Sequence, residues 1–169
     1  MASNYVLSVM ARDRVGIVSG IASAVLELGG NIDAISQTVM RGYFTIIVTV
    51  QCEDDVSGQQ LAEAVRETGA EGELQVSVQE REVLESAPVV AEGEQWILTM
   101  RGADRKGLIS SITSYLASRN ANINDLYAYT EDDEFVLVAE LLIPLSTDIE
   151  HVKMDLEGMF EGEELLLKL

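Results

Sequence analysis

The stretch Arg12-Asp13-Arg14-Val15-Gly16-Ile17-Val18-Ser19-Gly20-Ile21, RDRVGIVSGI, opens on three charges and closes as the start of an apolar helical stripe. It returns 91 residues later as Ala103-Asp104-Arg105-Lys106-Gly107-Leu108-Ile109-Ser110-Ser111-Ile112, ADRKGLISSI. Sliding the chain by that distance lays Tyr5–Val48 on Trp96–Ala139 without a gap, and ten of the 44 positions are identical. Among them are Leu7/Leu98, Asp13/Asp104, Arg14/Arg105, Gly16/Gly107, Asn31/Asn122, Ile32/Ile123 and Phe44/Phe135. Chance gives about two or three, so the chain is a tandem duplication with a unit too long for a solenoid repeat.

Each unit reads the same way. Tyr5–Met10 is a short apolar run expected to form a buried strand. Ile17, Ile21, Ala24, Val25 and Leu28 follow the 3.6-residue period of a helix, and Gly29-Gly30 ends it in the left-handed region. Asn120-Ala121 takes that place in the second copy, Asn being the usual substitute. Ile32–Val39 and Tyr43–Gln51 read as a hairpin around Met40-Arg41-Gly42; Ile123–Thr130 and Phe135–Ile143 repeat it around the acidic turn Glu131–Glu134. Second helices are expected over Val56–Thr68, where Ser57 and Gln60 can form a capping box, and over Asp148–Met159. Closing strands are expected at Leu74–Val83 and Glu164–Leu169. The order β-α-β-β-α-β, twice, predicts an α+β protein of two ferredoxin-like domains. Right-handed crossovers place strands one and three at the centre of each four-stranded antiparallel sheet. The expected division is a first domain over 1–84, a linker over 85–95 and a second domain over 96–169.

Composition narrows the function. The chain has 169 residues, 11 basic and 29 acidic, for a net charge of −18. Both copies share the acidity: up to Ser86 there are 5 basic and 13 acidic residues, and after it 6 and 16. Such a surface repels phosphate backbones, so no direct nucleic-acid partner is expected. No apolar run reaches the ~18–20 residues that span a bilayer, and no secretory signal is visible at the start, so a cytoplasmic protein is expected. The lone Cys52 fits a reducing compartment.

On the paired motifs Asp13-Arg14-Val15-Gly16 with Asn31-Ile32, and Asp104-Arg105-Lys106-Gly107 with Asn122-Ile123, the chain resembles the ACT family of small regulatory domains. The run Asn31–Val48 resembles stand-alone ACT proteins, and the tandem arrangement is similar to the glycine cleavage system transcriptional repressor family. The first unit also resembles the regulatory segment of formyltetrahydrofolate deformylase. Many relatives carry proline immediately before the motif glycine; Val15 and Lys106 stand there instead, which loosens the helix start. The resemblance implies domains paired side by side through helices and edge strands, with ligands in the seam and a homodimer as the assembly.

The loop chemistry agrees with a zwitterionic ligand. Unpaired N–H groups at a helix start favour a carboxylate, Gly16 and Gly107 permit close approach, and Asp13 or Asp104 can receive an ammonium group. Asn31 and Asn122, expected at the same sheet end, can donate and accept. The expected ligand-binding set is therefore Asp13, Arg14, Val15, Gly16, Ile17, Asn31 and Ile32, with Asp104, Arg105, Lys106, Gly107, Leu108, Asn122 and Ile123 in the second copy. A simpler role for the aspartates is helix capping. Arg14 and Arg105 are expected to pair with surface acids or a neighbouring subunit rather than with a ligand. Ser19, Gly20 and Ser23 form a small-residue face that another element can approach.

No catalytic, cofactor or metal site is expected. His151 is the only histidine, Cys52 sits beside Glu53, Asp54 and Asp55, which raise a thiol pKa, and no nucleophile elbow, phosphate loop or zinc-binding helix occurs. The sequence thus predicts a regulatory protein that senses a small amino acid, glycine or serine, and modulates a transcription regulator or a metabolic enzyme. A ligand-free dimerisation scaffold and a detached regulatory subunit of a one-carbon enzyme are the alternatives.

Overall fold

A computed structural model describes residues 3–53, 55–81 and 92–169. The chain divides into two compact units, Met1–Glu85 and Ser86–Leu169. In the first, β1 (Ser3–Arg12), α1 (Ile17–Glu27), β2 (Asn31–Met40), β3 (Tyr43–Cys52), α2 (Gly58–Arg66) and β4 (Gln75–Glu80) follow one another. The second repeats them as β5 (Gly93–Ala103), α3 (Leu108–Ser118), β6 (Asn122–Glu131), β7 (Glu134–Pro144), α4 (Ile149–Met159) and β8 (Glu164–Lys168). Each unit holds one antiparallel sheet, in the orders β2-β3-β1-β4 and β6-β7-β5-β8. Strands one and three are central, as the crossover rule requires.

The run Tyr5–Met10 forms the expected strand, and it is buried on one face only. Tyr5, Leu7, Val9 and Ala11 enter the core while Met10 and Arg12 are exposed, because helices cover one side of the sheet alone. Phe44, Ile46, Val48 and Val50 of β3 meet Ile17, Ile21 and Val25 of α1 and Leu61 and Val65 of α2. The second core repeats this with Leu98, Met100, Leu137 and Leu141 against Ile112, Leu116 and Leu156. No polar or charged residue is buried among the described residues.

The local signals act as read. Gly29 (φ +69°) and Asn120 (φ +53°) close the first helices, with Gly30 N donating to Val25 O and Ala121 N to Leu116 O. Ser57 and Gln60 form the reciprocal capping box of α2, and Asp148 Oδ1 accepts from Glu150 and His151 N at the start of α4. Both hairpins turn on two left-handed residues, Arg41-Gly42 and Asp132-Asp133. The second helix of the first unit is shorter than Val56–Thr68, since Thr68 and Gly69 already bond back to Val65 and Arg66 in a tighter turn. Residues 85–91 of the expected linker lie outside the described residues, as do the last residues of the first closing strand, 82 and 83. Gly93–Gln95 pair in β5, where a Cβ on Gly93 would come within 2.6 Å of the Ile143 carbonyl oxygen.

Gly20 explains part of the small-residue face. A Cβ there would lie 3.0 Å from Thr68 Cβ, so what it admits is the turn that follows its own unit's second helix. Ser19 and Ser23 remain exposed.

Candidate functional site

The two helix starts are built by backbone. Gly16 (φ +94°) and Gly107 (φ +92°) are the N-caps of α1 and α3, both left-handed, and neither helix has a side-chain cap. This corrects the capping role expected of the aspartates. Asp13 and Asp104 do not cap: their backbone N–H groups donate instead to Gly42 O (3.0 Å) and Asp133 O (3.3 Å), tying each loop to its hairpin turn. The glycines serve φ before access, because a side chain at +90° is strained whatever room surrounds it. Asp104 Oδ2 also accepts from Thr130 Oγ1 at 3.2 Å.

The arginines find surface acids. Arg14 grips Glu73, just before β4, through both Nε–Oε1 and Nη2–Oε2 (3.1 Å). Glu73 Oε2 accepts from Ala70 N as well, and these bonds, the Arg14 one foremost, hold its carboxyl down from the ordinary 4.5 to about 2. In the second unit Arg105 faces Glu163, just before β8, at only 3.9 Å and lies 6.0 Å over the Phe160 ring. Glu163 Oε2 is held by Ala103 N at 3.1 Å over Gly102, whose missing Cβ leaves the space. The sequence reading missed these acids. Their signal was an acid one or two residues ahead of each closing strand.

Asn31 does not share a sheet end with Asp13, which overturns that expectation. Asn31 pairs with Gln51, which is opposite Asn4; Met40 pairs with Tyr43, which is opposite Arg12. Eight strand residues at ~3.3 Å each put about 26 Å between the two ends. Asn122, opposite Leu142, is likewise at the far end from Asp104, and its Nδ2 donates to Asn124 Oδ1 at 2.8 Å. The reason is topological: β1 and β2 both flank β3 antiparallel, so the end of one lies beside the end, not the start, of the other. Of the apolar members, Ile17 and Leu108 are buried and Ile32 and Ile123 pack on the cores, so they hold the loops rather than meet solvent; Val15 is 98% exposed.

Two shallow cavities flank the second loop. One, of about 450 Å³, is lined by Asp104, Arg105, Gly107, Ile109 and Phe135; the other, of about 310 Å³, by Arg105, Lys106, Gly107, Met159 and Phe160. The cysteine and the histidine lie elsewhere. Cys52 is buried and burial, rather than its acidic neighbours, pushes its thiol up; His151 is exposed on α4, 3.9 Å from Asp155. Among the described residues no group of three or more His, Cys, Asp or Glu could hold a metal ion, and no helix is long and apolar enough to cross a membrane.

Comparison with known proteins agrees with the fold. Family models described as ACT domains match residues 5–67 and 94–168. The UPF0237 protein of Methanopyrus kandleri is 42% identical over 79 residues, which are 46% of this chain and 88% of that protein. The UPF0237 protein of Streptococcus mutans is 31% identical over 81 residues, 48% of this chain and 92% of that protein. A crystal structure described only as an unknown protein from Galdieria sulphuraria has a TM-score of 0.80 at 24% identity, over 99% of this chain and 98% of that one. Another, provisionally described as a glycine cleavage system transcriptional repressor, has a TM-score of 0.66 at 14% identity, over 99% and 97%.

Proposed function

Because the chain belongs to the ACT-domain family in both of its halves, we propose that it is a regulatory protein that binds a small amino acid and transmits its presence to a protein partner. The observation that carries this reading is the freedom of the motif carboxylate. Gly16 makes the helix start, and the Asp13 side chain takes no part in the cap, so a ligand ammonium group can have it. The adjacent N–H groups of α1 suit the ligand carboxylate.

The length of sheet, about 26 Å, between the end that holds Asp13 and the end that holds Asn31 dictates where a shared site would lie. A small amino acid cannot bridge that distance within one sheet. Antiparallel pairing of β2 with β2 of a second copy sets the start of one strand beside the end of the other, and so brings Asn31 of one chain toward the Asp13 loop of its mate. The two sheet edges differ in a way that supports this. The outer edge of β4 has its Val76 carbonyl occupied by Arg66 Nη2 at 2.9 Å, whereas β2 runs ten residues without lysine or proline. The reading is thus of a non-catalytic homodimer, with glycine or serine as first candidates and a transcription regulator or a metabolic enzyme as the partner. Calorimetry against the twenty amino acids tests it: heat of binding for at least one is expected, and silence for all at millimolar concentration refutes it.

A dimerisation scaffold is the second reading, favoured by the exposure of Ile35, Val39 and Met40 on both faces of β2. The double substitution Asp13→Ala, Asp104→Ala separates the two. An unchanged fold with the ligand response gone supports the sensor, whereas an unchanged partner interaction with no ligand response in either form supports the scaffold.

A further inference from the structure

We infer that the open face of the first sheet is a separate small-molecule site, which takes a monocarboxylate with a neutral body bearing amide or hydroxyl groups. Its lining shares no residue with the helix-start loops, so it stands apart from the amino-acid reading above.

A concavity of about 570 Å³ lies over β3, β1 and β4. Small-molecule sites occupy roughly 300–1,000 Å³. The alternation that sends Val9 and Ile46 to the core turns Ser8, Met10, Thr45, Ile47, Gln75 and Ser77 to this side. Met10 and Ile47 supply an apolar floor and are 40% and 55% exposed. The side chains of Ser8, Thr45, Gln75 and Ser77 hydrogen-bond to nothing among the described residues, so their donors and acceptors are open to a ligand. Arg66, exposed in the last turn of α2, completes the rim. Its Nη2 donates to Val76 O at 2.9 Å, and it makes no ion pair among the described residues. The rest of its guanidinium fork is left for a carboxylate.

Charge selects the ligand. Although the chain carries a net charge of −18, this face of β1, β3 and β4 holds no aspartate or glutamate. Arg66 is the one cation in the lining, which matches a single negative charge, and no carboxylate is there to receive an ammonium group. A free amino acid is therefore a poor fit. On its other side Arg66 borders a hollow lined by Glu67 and Glu71, so an anion approaches from the sheet face. The second unit shows the same backbone with this chemistry removed. In register with β5, Glu164 and Leu166 stand where Gln75 and Ser77 stand against β1. Arg101 replaces Met10 and is tied to Glu134 at 2.7 Å. Glu157 follows the buried Leu156 of α4 as Arg66 follows the buried Val65 of α2, so the rim charge is reversed.

Amide NMR titration of the full chain with N-acetyl-leucine tests the site, because that probe joins a carboxylate, an amide and a branched apolar stem and has no ammonium group. The amides of Ser8, Thr45 and Ser77 are expected to shift and saturate at millimolar concentration, while those of Thr99, Val136 and Leu166 stay still. The uncharged N-acetyl-leucinamide and Arg66→Ala are each expected to weaken binding by about tenfold or more, and Arg66→Lys to restore part of it. Gln75→Glu and Ser77→Leu copy the second unit, whose sheet folds with those residues, and both are expected to abolish the shifts without lowering the melting temperature. Butyl phosphate is expected to bind more weakly; tighter binding by it overturns the monocarboxylate assignment. Equal shifts on both sheets, equal binding of the neutral amide, or no shift with either anion overturn the site. So does a change of sedimentation with Ser77→Leu, which would make the face a contact between copies. A failure of the loops to bind any amino acid leaves each of these outcomes unchanged, so the two readings fall separately.

Discussion

At the residue scale, Arg14–Glu73 and Gly107 carry the sharpest consequences. Glu73 titrates near 2 in the folded chain against an ordinary 4.5, its bond with Arg14 being the main cause. Its folded-state pKa is depressed, so its contribution to stability is complete above about pH 4.5 and is lost as pH falls toward 2. Glu73→Gln removes that dependence. Thermal melts of the two forms should differ at neutral pH and converge at pH 2; parallel curves throughout would deny the linkage. Gly107 sits at φ +92° with open space around a hypothetical Cβ, so Gly107→Ala isolates backbone strain from crowding. A cost of about 1–2 kcal/mol is expected, with Gly107→Asn costing less. Trp96, the only tryptophan, is buried in the same unit, so its fluorescence in urea reports the change directly.

At the element scale, the ends of elements were the most legible part of the sequence. Gly29, Asn120, Ser57 with Gln60 and Asp148 each act through a bond to backbone within a few residues, so the local sequence contains the whole interaction. Ser57→Ala should therefore cost about 1 kcal/mol in urea denaturation followed by circular dichroism, and Ser57→Asp should recover most of it. The repeat made the fold legible, because two independent copies kept one pattern of apolar residues. The candidate site was legible only in part. Which strand ends meet, and which acid an arginine finds, depends on partners 59 or 58 residues away, as with Arg14–Glu73 and Arg105–Glu163, and no local period encodes them. The cluster of Tyr115, Arg119 and Asp155 between α3 and α4 escaped notice for the same reason. Tyr115 Oη donates to Asp155 Oδ2 at 2.8 Å and Arg119 Nη2 to the same oxygen at 2.5 Å.

At the scale of the whole molecule, the feature with the largest consequence is an open sheet edge. A strand of ten residues with unpaired outer N–H and C=O groups is a template for another strand, and proteins that remain monomeric usually blunt such edges with lysine, proline or a bulge. β2 has one bulge, between Ile32 and Ala34, and then runs regularly to Met40. Its only charge is Asp33, at that bulge. Ile35 and Val39 stay exposed on the helix side, where a second copy's helix and strand would cover them. The chain is accordingly expected to sediment as a dimer at micromolar concentration. Placing lysines at the edge, in Gln37→Lys, Thr38→Lys, should convert it to monomer without altering Trp96 fluorescence, because like charges would then face each other across the antiparallel pair. If the dimer also forms the ligand seam, the monomeric variant loses amino-acid binding as it loses its mate. A monomeric wild-type chain would remove the seam, whereas a dimer indifferent to both lysines would move the interface to another surface.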